Sequence, residues 1–163
     1  MALEIERRFL VRKDIRHLCR DGISIVQGYL PRDGDNTVRV RLISDATAGD
    51  TATLTIKSRK SGASREELEY PLGSDFARQL LRHSCAGHLI RKTRYRHDQD
   101  GLCWEIDVFE GENAGLVIAE VELSDPEQIV PLPEWIGAEV TSLRAYSNSS
   151  LSRCPIRGWA SAA

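Results

Sequence analysis

Glu4-Ile5-Glu6-Arg7-Arg8-Phe9-Leu10-Val11 decides the reading of this chain. Alternate residues of a β-strand point to one face, so Glu4, Glu6 and Arg8 fall together with Ile5, Arg7 and Phe9 opposite. The same alternation recurs along most of the sequence. Arg39 and Arg41 alternate with Val38, Val40 and Leu42, and Lys57 follows Thr53 and Thr55 in Thr53-Leu54-Thr55-Ile56-Lys57. Glu67 and Glu69 flank Leu68, and Lys92, Arg94 and Arg96 interleave with Thr93 and Tyr95. Glu105 and Asp107 flank Ile106, and Glu120 and Glu122 flank Val121. Charges alternating on one strand ordinarily mean a solvated face with cross-strand ion pairs. A merely solvated face would mix in Ser, Thr, Gln and Asn; here seven strands carry ordered blocks of acid and base.

Working outward, the pattern predicts strands near 3–10, 24–31, 36–43, 52–59, 65–72, 88–97, 102–110 and 116–124. Turn residues agree: Asp33-Gly34-Asp35-Asn36, the polar loops 44–50 and 58–64, the tight-hairpin signal Asp100-Gly101, and 110–115. Short connections imply antiparallel pairing. Helices are expected at 12–19, at 74–85 with Ser74 as N-cap and Phe76, Leu80 and Leu81 as an apolar stripe, from Pro126 to about 130, and at 142–151. The fold class is thus α+β, mainly antiparallel β. Eight such strands close on themselves or form a sandwich, because closure removes exposed edges.

The chain of 163 residues reads as one domain over 1–155, with 156–163 as a loose tail. A net charge of −2 argues against a general nucleic-acid binder, and no apolar run has the length of a signal peptide or membrane span. Cys19, Cys85, Cys103 and Cys154 form no C-x-x-C pair and, with His17, His83, His88 and His97, no zinc-site spacing. Free thiols in a cytoplasmic setting fit this pattern. Trp104 and Trp135 are expected as packing anchors. Apolar strand positions facing outward are compatible with a monomer or a homodimer.

If the barrel closes, the first and last strands become neighbours, and Glu4, Glu6, Glu120 and Glu122 converge. Such a cluster repels itself unless a divalent cation sits in it, and oxygen-only ligands suit Mg²⁺ or Mn²⁺. Arg8, Arg39, Arg41, Lys57, Lys92 and Arg94 form a basic wall suited to phosphate oxygens. Acid-held metal against a basic wall is the composition of a phosphoryl-transfer site, where positioning and electrostatics do nearly all the work.

These residues resemble the CYTH superfamily, the triphosphate tunnel metalloenzymes. The first strand is similar to that family's Glu-x-Glu-x-Lys signature. Gln27-Gly28-Tyr29-Leu30, Val38-Arg39-Val40-Arg41, Leu54-Thr55-Ile56-Lys57-Ser58, Arg91-Lys92-Thr93-Arg94-Tyr95, Trp104-Glu105-Ile106-Asp107-Val108-Phe109 and Ala119-Glu120-Val121-Glu122-Leu123 are similar to family segments in family order. The likeness covers about 3–150. It implies an eight-stranded closed β-barrel open as a tunnel, with a C-terminal plug helix at Tyr146-Ser147-Asn148-Ser149-Ser150-Leu151. It further implies metal on Glu4, Glu6, Glu120 and Glu122, and triphosphate on Arg39, Arg41, Lys57, Lys92 and Arg94. Position 8 is Arg where the family usually has Lys. The charge is kept but not the point-like ammonium, a swap expected to shift substrate preference or lower activity.

The resulting expectation is a metal-dependent hydrolase of inorganic tripolyphosphate or a related organic triphosphate, with Glu69 or Asp107 orienting the attacking water. The competing readings are a class IV-type adenylyl cyclase, a thiamine triphosphatase and a non-catalytic polyphosphate or nucleotide sensor. No adenine motif is readable, and the retained acids favour catalysis. No nucleic-acid or membrane partner is implied.

Overall fold

The structure, a computed structural model, describes residues 5–12, 14–31, 36–57 and 67–161. Glu4, the turn expected at Asp33-Gly34-Asp35 and the loop expected over 58–64 lie outside the described residues. The strands are β1 (Ile5–Val11), β2 (Ile23–Tyr29), β3 (Thr37–Asp45), β4 (Gly49–Lys57), β5 (Glu67–Leu72), β6 (Ala86–Gln99), β7 (Leu102–Glu110), β8 (Val117–Leu123) and β9 (Ile136–Glu139). The helices are α1 (Ser74–His83) and α2 (Asn148–Arg153), with 3₁₀ turns at Gly111–Asn113, Arg144–Tyr146 and Ile156–Ser161.

All strands join one antiparallel sheet in the order β5-β4-β3-β2-β6-β7-β8-β1-β9. β1 and β8 are neighbours, as the convergence of their acids requires, with Glu6 opposite Glu122 and Arg8 opposite Glu120. Closure into a barrel is not seen among the described residues, where no ladder joins the edges β5 and β9, and the sheet has nine strands in place of the expected eight. The extra strand is β9, a four-residue strand with little alternation to betray it. It pairs with the far side of β1, so both edges of β1 are occupied and β1 cannot meet β5.

Local chemistry explains the other elements. Asp100 and Gly101 both adopt positive φ, 53° and 75°, and turn β6 into β7 as the two-residue hairpin signal predicts. The helix expected from Pro126 is a turn, in which Asp125 Oδ1 accepts from Glu127 N at 2.8 Å. Of the helix expected over 12–19, the described residues 14–19 form a turn, with Asp14 Oδ1 taking Arg16 N at 3.0 Å. Residues 142–151 divide at Ser147, whose hydroxyl accepts from Ser150 N at 3.2 Å as the N-cap of α2. In α1 the residue before the helix is Gly73, and Ser74 lies inside it. Its buried seam is Ala77 and Leu81, four residues apart, while Phe76 is 55% exposed.

Strand register separates the two faces. The apolar face divides into two cores. Val40, Leu42 and Ala52 pack under Ala77 and Leu81 of α1. Phe9, Trp104, Ile106, Ala119 and Val121 pack under Ile15, Val130 and Trp135. Trp104 meets Phe9 and Trp135 edge-on, with ring centroids 5.8 and 5.5 Å apart, the packing role expected of both tryptophans. A third core lies at one end of the charged face, where Ile90, Phe109 and Ile118 receive Leu151 of α2. Trp159 packs edge-on against Tyr146 at 5.2 Å, and Ile156 N donates to Asn113 Oδ1 at 3.0 Å, which docks the segment after Pro155.

Candidate active site

Register puts the acids and bases of seven strands on one face. Directly opposed residues share a face, so Glu69, Thr55, Arg39 and Tyr29 form one row across β5, β4, β3 and β2. Thr53, Arg41 and Gln27 form the next. Lys92 lies across from Phe109, Arg94 from Asp107, and Arg96 from Glu105, which in turn lies across from Glu120 and then Arg8. The fold therefore brings together Arg8, Arg39, Arg41, Lys57, Lys92 and Arg94 with Glu6, Glu69, Asp107, Glu120 and Glu122.

The centre of the face is a buried ionic knot. Asp107 is 1% exposed and both its oxygens are engaged: Oδ1 accepts from Arg94 Nε at 2.6 Å, and Oδ2 from Arg94 Nη2 at 2.8 Å and from Lys92 Nζ. Burial alone would raise the Asp107 carboxyl, but Lys92 and Arg94 overcome it and hold the group below its ordinary value. Burial pushes the Lys92 ammonium below its usual value, opposed by Asp107. For Arg94, burial works downward, yet the bonds to Asp107 and the charges of Glu120 and Glu105 raise it. Arg94 Nη2 also donates to Glu120 Oε2 at 3.0 Å, and Nη1 to Glu105. This arginine thus fastens three acids from two strands.

On the β3–β5 side, Arg39 Nη2 donates to Thr55 Oγ1 at 3.0 Å and lies 3.6 Å from Glu69 Oε1. Glu69 Oε1 also accepts from the Thr55 hydroxyl at 3.0 Å, and its side chain is half exposed. Lys57 Nζ lies 2.6 Å from Glu67 Oε2. Arg41 donates its Nε to Gln27 Oε1 at 3.0 Å. Burial, then the like charges of Arg39 and Arg94, push the Arg41 guanidinium down to about 10, so it stays a cation at neutral pH.

Arg8 is held away from the others. Its Nη1 and Nη2 donate to the backbone carbonyls of Tyr146 and Thr141 at 3.4 and 3.2 Å, and its Nε lies 3.8 Å from Glu6 Oε1. The guanidinium's forked donors, which a lysine lacks, tie β1 to the segment leading into α2.

At the other end, Glu6, Glu105, Glu120 and Glu122 line an open cavity of about 420 Å³ together with Arg96 and Cys103. Arg96 Nη2 donates to Cys103 Sγ at 3.4 Å. Glu6 and Glu122 are paired directly across the β1–β8 ladder, a placement of like charges that destabilises a bare sheet. Among the described residues no three acidic, histidine or cysteine groups already stand at metal-ligating distance. The donor chemistry nevertheless fits a hard divalent cation: carboxylate oxygens facing one another across a solvent-filled gap.

Several residues of the face escape a search for charge. Gln27 and Thr55, both fully buried, hold Arg41 and Arg39, and Asn148 of α2 stands 3.5 Å from Lys92 Nζ. The one signal available for Gln27 and Thr55 is phase, since they occupy the same alternate positions as the charges. Among the described residues no helix is long and apolar enough to cross a membrane. All four cysteines are free thiols.

The comparisons with known proteins agree with this geometry. The CYTH domain model matches residues 2–154. The chain is 40% identical over 159 residues to an inorganic triphosphatase of Acetivibrio thermocellus, covering 98% of this chain and 99% of that protein. It is 34% identical over 157 residues to an inorganic triphosphatase of Nitrosomonas europaea, covering 91% and 96%. A crystal structure of an inorganic triphosphatase superposes with a TM-score of 0.69 at 30% identity, covering 93% of this chain and 95% of that one. An adenylyl-cyclase-like protein from Hippeastrum, at 20% identity and a TM-score of 0.55, shares the fold.

Proposed function

The chain belongs to the CYTH domain family, and we propose that within it this protein is a metal-dependent hydrolase of inorganic triphosphate. The observation that carries the reading is the single sheet face on which a basic wall (Arg39, Arg41, Lys57, Lys92, Arg94) meets an acid-lined cavity (Glu6, Glu105, Glu120, Glu122). The relatives named inorganic triphosphatase support the choice of substrate. In this reading the sheet wraps the polyanion as a tunnel, and its β5 and β9 edges are where closure around it occurs.

Mg²⁺ or Mn²⁺ would be held by Glu6, Glu120 and Glu122, with Glu4 of the same sequence motif, and would supply charge neutralisation at bridging oxygens and an activated water. The chain's own residues do the rest. Arg39, Arg41 and Lys57 bind the phosphates from one side, and Lys92 and Arg94 from the other. Asp107 serves as a positioning residue: it is buried and bonded to both Lys92 and Arg94, which sets it apart from the water-orienting role. Glu69, half exposed and bonded to Thr55, is the acid that in this reading accepts a proton from water. Arg8 anchors the C-terminal segment and reaches phosphate only by giving up its carbonyl partners.

The test is phosphate and cyclic AMP release from tripolyphosphate, ATP and thiamine triphosphate, with Mg²⁺ or Mn²⁺ and with EDTA, for wild type and Glu122→Gln. Metal-dependent phosphate release from tripolyphosphate that collapses in the variant is expected. Cyclic AMP from ATP would move the chain to cyclase chemistry, and metal-independent binding without turnover would make it a sensor.

A further inference from the structure

Of the six cations that line the sheet face at least half-buried, five have a carboxylate within 4.0 Å: Arg8, Arg39, Lys57, Lys92 and Arg94. Arg41 has none among the described residues. Its partner is a neutral amide, Gln27, which is fully buried and whose Oε1 accepts from Arg41 Nε at 3.0 Å. The amide orientation is unambiguous, because a guanidinium carries only donors and the atom facing it must be the oxygen. The other end of the amide donates to Tyr29 Oη at 3.0 Å, two residues along the same strand, so Gln27 cannot rotate without losing a buried bond.

We propose that Gln27 is a positioning residue: it orients Arg41 without neutralising it, and so keeps Arg41 as the one uncompensated cation that anchors the triphosphate chain. A carboxylate at position 27 would orient the guanidinium equally well but cancel its charge. The like charges of Arg39, on the same strand, and Arg94, across the face, outweigh the opposing pull of Tyr29 and Asp107 on Arg41, neither of which contacts it as an ion pair. The other cations must trade an acid for a phosphate oxygen when substrate arrives; Arg41 has only solvent and substrate to choose between. The inference rests on the triphosphate reading above.

The experiment compares Gln27→Glu and Gln27→Met with wild type. KM for tripolyphosphate comes from phosphate release with Mg²⁺, affinity for tripolyphosphate from calorimetry in EDTA, and fold from circular dichroism. Methionine keeps the volume but not the acceptor, and KM is expected to rise about tenfold with kcat changed less than about threefold, the size of one lost charge-assisted bond. Gln27→Glu is expected to raise KM further and to weaken calorimetric binding, although it supplies an ion pair that a purely structural residue would tolerate. In an Arg41→Ala background, Gln27→Met is expected to add nothing, because the two act as one unit. A folded Gln27→Glu with wild-type KM, or additive effects of Gln27→Met and Arg41→Ala, would overturn the inference while leaving the hydrolase intact. A wild type that neither binds nor hydrolyses tripolyphosphate would overturn both.

Discussion

Replacing Asp107 by Asn removes the acid on which the buried knot depends. The variant keeps the volume and one acceptor oxygen but leaves Lys92, 1% exposed, without a carboxylate; its remaining neighbours are Asn148 Oδ1 at 3.5 Å and the Phe109 ring at 5.4 Å. Arg94 retains Glu105 and Glu120. Removing one partner of a buried ion pair costs about 3–5 kcal/mol, because the surviving charge is uncompensated. The lower end applies here, since Arg94 is rescued and Lys92 can shed its proton, so about 3 kcal/mol is expected. At about 2–4 °C per kcal/mol for a domain of this size, the melting temperature falls by about 6–12 °C. A bound polyanion supplies the missing counter-charge, so tripolyphosphate without metal should raise the variant's melting temperature more than it raises that of wild type. The assay is thermal unfolding by circular dichroism across a tripolyphosphate series, with Asp14→Asn, which breaks an exposed pair with Arg16, as the control expected to melt like wild type. An Asp107→Asn protein melting within a degree or two of that control would refute the reasoning, and so would equal stabilisation of variant and wild type by tripolyphosphate.

The pH dependence follows from the same acid. The folded Asp107 pKa lies below its unfolded value, so its contribution is fully present above the ordinary aspartate range and is lost as pH falls through the lower folded value. Wild-type unfolding free energy should drop steeply below about pH 4, and the drop should flatten in Asp107→Asn, as urea titrations at stepped pH would report. Arg8→Lys keeps the charge but loses the fork that holds the Tyr146 and Thr141 carbonyls; amide hydrogen exchange over 143–151 should quicken by about tenfold, and unchanged protection would exclude the anchoring role. Glu122→Gln relieves the like-charge pair with Glu6, so the melting temperature should hold or rise while metal-dependent turnover falls by at least about tenfold; a loss of stability would mean that Glu122 is structural. Leu151→Ala empties the fully buried contact of α2 with Ile90, Phe109 and Ile118, at a cost of about 2–5 kcal/mol read from urea midpoints.

Strand alternation was legible because it is a property of each residue and its two neighbours. That is why Glu6, Arg39, Arg41, Lys92, Arg94, Asp107 and Glu120 fall on one face without any knowledge of pairing; the adjacency of β1 and β8 was expected only from barrel closure, and the β1–β8 ladder provides it directly. The ninth strand was not legible, because Ile136-Gly137-Ala138-Glu139 takes its strand character from pairing with β1 rather than from its own pattern. Turns stand at 14–19 and from Pro126 where helices were expected, and in them Asp14 and Asp125 offer the backbone an acceptor that periodicity does not count. The role of Asp107 was hidden for a different reason. Sequence gives an acid and two bases in phase, but only the fold shows that both bases converge on the same buried carboxylate.

The pairing of the cations has a consequence for what the proposed site would accept. Arg39, Lys57, Lys92 and Arg94 each begin with an acid in contact, so a phosphate oxygen gains from them only the difference between itself and the carboxylate it displaces. A ligand with a single phosphate can reach Arg41 but cannot repay several such exchanges at once. A triphosphate presents contiguous charged groups on one chain, so that after the first contact the rest are intramolecular and the entropy of association is not paid again. Metal held at the proposed Glu6, Glu120 and Glu122 would tighten the filter, because a Glu120 engaged by a cation would hold Arg94 Nη2, 3.0 Å away, less firmly and leave that donor for phosphate. Metal and polyanion should therefore bind with positive coupling, each raising the other's affinity by the same factor. Calorimetric titration of tripolyphosphate with and without Mn²⁺ checks it, and Arg94→Lys, which loses the forked grip on Glu120 and Asp107, should weaken the coupling more than it weakens metal binding alone.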